Sequence, residues 1–106
     1  MTARLHLCAS CEGSDLPALR AALEVSGLDV ALRSERCLNG CAAPVSMALQ
    51  APGRATYFFA GIDPAGDAAD IVATVRLYLT APAGWIEDAR GCGRVRFCLK
   101  GRVPAL

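Results

Sequence analysis

The chain has 106 residues, 54% hydrophobic and 20% charged, and its eleven basic and ten acidic side chains leave a net charge of +1. That length suits one domain, residues 1–106, with a core that needs no disulfides in its place, and the balanced charge argues against a general nucleic-acid or polyanion binder. No run approaches the roughly 20 apolar residues that span a bilayer, and no export signal is expected from Met1 to Cys8. The expectation is a cytoplasmic protein, where six cysteines read as metal-binding or redox-active rather than as a disulfide framework.

Leu5 and Leu7 alternate with Arg4, His6 and Cys8, the pattern of a half-buried strand that closes at Cys8. Ser14 or Asp15 can cap a helix over residues 15–26, with Pro17 in its first turn, Leu16, Leu19 and Leu23 on one face and Gly27 as its stop. Leu28, Val30 and Leu32 alternate in a second strand running into Cys37. Val45, Met47 and Leu49 alternate with Ser46, Ala48 and Gln50, Ala51-Pro-Gly-Arg54 turns, and residues 55–60 return as the partner strand of an antiparallel hairpin. A second helix begins at Asp63-Pro64 or at Asp67, aligns Ile71, Val75, Tyr78 and Leu79, and ends before Pro82 and Gly84. Beyond it, Val95, Phe97 and Leu99 alternate with Arg94, Arg96 and Cys98, which predicts a final strand or extended arm.

Four cysteines fall in two close pairs, Cys8-x2-Cys11 and Cys37-x3-Cys41. A strand-helix-strand crossover makes its two strands parallel, so both pairs are expected at one edge of the sheet, where four soft thiolates can hold an iron-sulfur cluster or zinc. Zinc that builds its own fold is disfavoured, because the strands and helices carry enough apolar residues to form a core. A third reading makes Cys8 and Cys11 the dithiol of a thiol-disulfide oxidoreductase, since Cys-x-x-Cys after the first strand of a βαβ unit is where such enzymes place it. Cys37 and Cys41 have no part in that chemistry.

The stretch CLNGCAAP at residues 37–44 and the hairpin after it resemble the thioredoxin-like ferredoxins, which carry a [2Fe-2S] cluster on two loops of a thioredoxin-type sheet. The same stretch, together with MALQAPGRATYFF and the terminal GRVP, also resembles DUF1636, a family of small proteins of unknown function described as predicted metal-binding. The resemblance implies a thioredoxin-like α/β fold, a mixed four-stranded sheet with two main helices, and a [2Fe-2S] cluster on Cys8, Cys11, Cys37 and Cys41, with Zn as the alternative. It implies a non-enzymatic electron carrier, a homodimer, and a cis bond at Ala43-Pro44.

Five of the basic residues, Arg90, Arg94, Arg96, Lys100 and Arg102, lie in one terminal segment, a patch suited to docking an acidic redox partner protein or simply a solvated arm. Cys92 and Cys98 are expected to be structural thiols, and His6 a solvent-facing strand residue. Tyr57, Phe58, Phe59 and Trp85 read as packing, because no basic residues interleave with them to make a nucleic-acid stacking platform. No catalytic triad, phosphate loop or dinucleotide fingerprint is present.

Overall fold

A computed structural model describes residues 2–8, 16–35 and 45–105 of the chain. Its strands are β1 (Ala3–Cys8), β2 (Val30–Glu35), β3 (Met47–Gln50), β4 (Thr56–Phe59) and β5 (Leu99–Val103), and its α-helices are α1 (Leu16–Ser26) and α2 (Ala68–Thr80). They form a mixed sheet in the order β2-β1-β3-β4-β5, in which β1 and β2 are parallel and the other pairs antiparallel.

The period-two pattern of β1 puts Ala3, Leu5 and Leu7 into the core and leaves Arg4 and His6 on the other face. Met47 and Leu49 of β3 and Tyr57 and Phe59 of β4 extend the same buried face, with Leu7 opposite Met47 and Met47 opposite Phe59. Helix α1 covers it with Leu19 and Leu23, and α2 with Ile71, Val75 and Tyr78; the two helices pack against each other. Two buried tyrosines tie sheet to helix layer: Tyr78 donates its hydroxyl to the Ala55 carbonyl at 2.6 Å, and the Tyr57 hydroxyl accepts from the Ile86 N–H at 2.8 Å. Arg54 in the hairpin turn donates to the carbonyls of Tyr78 and Ala81, both at 3.1 Å, and so caps the C-terminus of α2.

The crossover, the hairpin and both helices are found where the residue pattern predicts them. The expected four-stranded sheet is corrected to five strands, because β5 pairs with β4 from Thr56 opposite Val103 to Phe59 opposite Leu99. The extended reading of residues 94–99 is corrected as well. Ala89–Cys98 is a 3-10 segment broken at Gly93, and strand begins only at Leu99. Its buried residues, Cys92, Val95 and Cys98, recur every third position, the period of that helix.

Candidate metal centre

Strand β1 ends at Cys8 and β2 at Glu35, and these two residues are paired in register, so the two parallel strands finish level. Strand β3 starts at the same edge on the other side of β1: Leu7 is opposite Met47, and the Cys8 N–H donates to the Ser46 carbonyl at 3.1 Å. Three chain ends therefore meet at one sheet edge with Cys8 in the middle. Residues 9–15 depart from that edge, and residues 36–44 depart from one side of Cys8 and rejoin on the other. Cys11, Cys37, Cys41 and the Ala43-Pro44 bond lie outside the described residues. In sequence, Cys11 is three residues from Cys8, Cys37 two from Glu35 and Cys41 four from Val45.

Cys8 is 0% exposed. Ser46 is also 0% exposed, and its Oγ has no hydrogen-bond partner among the described residues. A buried hydroxyl left in that state costs about 1–3 kcal/mol, and in the sequence this serine reads only as one of the alternating residues of a strand. No group of three or more His, Cys, Asp or Glu side chains suited to a metal occurs among the described residues. His6 is half-buried rather than fully solvent-facing, and its Nε2 lies 2.9 Å from the Gln50 amide nitrogen. Gln50 is opposite Arg4, so His6 leans away from the Cys8 end of its strand.

Cys92 and Cys98 sit elsewhere. Leu99 is reached from Leu7 by crossing Met47 and Phe59, three strand spacings or about 14 Å. The Cys98 thiol donates to the carbonyls of Gly61 at 3.7 Å and Arg94 at 3.8 Å, and burial pushes its pKa up against the opposing pull of Arg94. Both cysteines are buried, as structural thiols should be.

The terminal basic residues are largely committed within the molecule. Arg94 donates from Nε to Asp67 Oδ1 at 2.8 Å, from a terminal nitrogen to Asp67 Oδ2, and from the same nitrogen to the Gly61 carbonyl at 2.9 Å. Arg90 pairs with Asp88 at 2.8 Å, and the Arg102 guanidinium lies 4.0 Å over Trp85. Arg96 rests 4.5 Å over Phe97, which is itself 73% exposed, and Lys100 is exposed. Asp67 is the partner that the sequence pattern does not reveal, since there it reads only as a helix start.

Fold and site together define a mixed α/β domain with two cysteine-bearing segments tethered at one sheet edge. The chain belongs to the DUF1636 family, a protein family of unknown function whose model matches residues 5–105. No curated protein and no solved structure matches it. No helix among the described residues is long and apolar enough to cross a membrane.

Proposed function

We propose that this protein is a thioredoxin-like electron carrier holding a [2Fe-2S] cluster on Cys8, Cys11, Cys37 and Cys41. One observation carries the reading: Cys8 is buried between the level end of β2 and the entry to β3, so both cysteine pairs are tethered within a few residues of one point. The donor set fits the group, since soft thiolates suit iron-sulfur centres and a buried serine hydroxyl stands beside Cys8 with a bond to give. When bound, such a cluster supplies one-electron redox chemistry. The chain's own residues hold it, exclude water at Cys8 and offer a docking face. The parallel crossover followed by an antiparallel hairpin and a packed helix supports the thioredoxin-like fold.

Burial of Cys8 also weighs against the thiol-disulfide reading, because an attacking thiolate needs partial exposure. The docking face we propose for an acidic redox partner protein lies at the start of β5, on the edge where Cys8 ends β1. There Arg96 and Lys100 flank exposed Phe97 and Leu99, while Arg90, Arg94 and Arg102, the other basic residues of the segment, are held by Asp88, Asp67 and Trp85 and contribute less to the face. A cytoplasmic location keeps such thiols reduced before loading, and a homodimer remains part of the proposal.

The test is anaerobic and aerobic purification followed by metal analysis and visible and electron paramagnetic spectra. The expected result is a red-brown protein with about two irons and two sulfides per chain whose colour bleaches on reduction. A colourless protein with stoichiometric zinc rejects the carrier and leaves a zinc-binding interaction module. A metal-free protein whose Cys8 and Cys11 cycle as a dithiol returns the reading to an oxidoreductase.

A further inference from the structure

Ser46 is a fully buried residue whose hydroxyl has no partner among the described residues. Extending the β1-β3 register by one residue, and the 3.1 Å bond from the Cys8 N–H to the Ser46 carbonyl, set it directly opposite Cys8. Opposite residues of an antiparallel pair project to the same face with Cβ atoms about 5 Å apart. The buried Oγ and the Cys8 sulfur are therefore cross-strand neighbours. An alanine would fill nearly the same space without stranding a donor, so the hydroxyl has its use in a state that brings an acceptor.

A neutral thiol is a weak acceptor, whereas a metal-bound cysteine is a deprotonated thiolate carrying negative charge. We propose that Ser46 Oγ–H donates a hydrogen bond to the Cys8 sulfur when Cys8 is metal-bound, which makes Ser46 a positioning residue that orients this ligand and tunes the centre. This rests on the four-cysteine reading above. Adding an electron raises the negative charge on the ligand sulfurs, so the bond strengthens on reduction and raises the potential. With zinc in place of iron, the same bond holds the thiolate and strengthens metal retention.

The experiment compares wild type with Ser46→Ala, each loaded to the same metal content, and follows thermal unfolding of the loaded and metal-free forms as a second readout. The alanine variant is expected to shift the reduction equilibrium about tenfold toward the oxidised form, which for one electron is about 59 mV. If the metal is zinc, the variant is expected to lose it to a chelator about tenfold more readily. Its metal-free form is expected to unfold no earlier than metal-free wild type, while its loaded form unfolds earlier than loaded wild type. Equal potentials, equal zinc retention, or the same destabilisation with and without metal overturns the assignment of Ser46 alone. A wild type that binds neither iron nor zinc overturns the four-cysteine reading and Ser46's role with it.

Discussion

Replacing Asp67 with Asn should release the C-terminal segment from α2. The Asp67 side chain is 6% exposed and accepts from the Asp63 N–H at 2.8 Å, from Arg94 Nε at 2.8 Å and from an Arg94 terminal nitrogen. An amide keeps the shape but loses the charge, and turns one acceptor into a donor that faces a guanidinium. Hydrogen bonds to charged groups contribute about 1.5–3 kcal/mol each. Arg94 is 51% exposed and regains water when released, so the net loss should be about 2 kcal/mol rather than the sum. For a domain of this size that lowers Tm by about 10 °C. The pH dependence identifies the cause. Arg94's hydrogen bond holds the Asp67 carboxyl below its usual value, with help from the Asp63 N–H and against the effect of burial. A depressed folded pKa gives stability that is full above the unfolded value, about pH 4, and is lost as the pH falls through the folded one. Urea unfolding of wild type and Asp67→Asn, with reductant and chelator present, should show the full gap from pH 7 to 5 and a closing gap below about pH 4. A gap that stays constant down to pH 2.5, or none at pH 7, refutes the assignment of this stability to the ion pair.

Gly93→Ala should also destabilise the terminal segment. Gly93 has φ +61°, and a Cβ there would lie 2.5 Å from the Asp70 carboxylate that accepts from the Arg94 N–H. A loss of about 2 kcal/mol is expected, larger than for Gly53→Ala, where φ is +70° but the added carbon meets open space; equal shifts in Tm would show that the Asp70 contact adds nothing. The double variant Cys92→Ala, Cys98→Ala should retain the metal content of wild type while Cys37→Ala loses it. Metal analysis showing the reverse would move the ligand set to the C-terminal segment.

The parts of the fold that alternate or repeat at helical spacing were legible: Leu5 and Leu7 in β1, Leu19 and Leu23 in α1, Ile71, Val75 and Tyr78 in α2 all sit in the core as their periods require. The terminal segment misleads because Val95, Phe97 and Leu99 satisfy a period of two while Cys92, Val95 and Cys98 satisfy a period of three. Packing chose the second, burying that trio and leaving Phe97 exposed. Nothing local reveals that Arg94 reaches back 27 residues to Asp67, since a docking arginine and a structural one look alike until their partners are known. At the cysteine edge, pairing and spacing pointed to one end of the sheet, and the register makes the strand ends level. Ser46 stayed hidden because a polar residue in an alternating strand reads as solvent-facing. Its burial depends on what lies over that face rather than on its neighbours in sequence.

The position of the core decides how metal and fold depend on each other. Among the described residues, most of the largest fully buried side chains, Tyr78, Leu5, Leu7, Leu19, Met47, Leu49 and Ile71 among them, come from β1, α1, β3 and α2. In metal-dependent small domains the ligands themselves hold the core together, so binding and folding are one equilibrium. In this chain the sheet and its two helices have an apolar interior of their own, and Cys8 is the point where that interior reaches the cysteine edge. Under the proposed four-cysteine reading a metal there would sit on a frame with a core of its own, and the levers on its affinity and potential would be the groups that frame fixes around Cys8, with the Ser46 hydroxyl foremost.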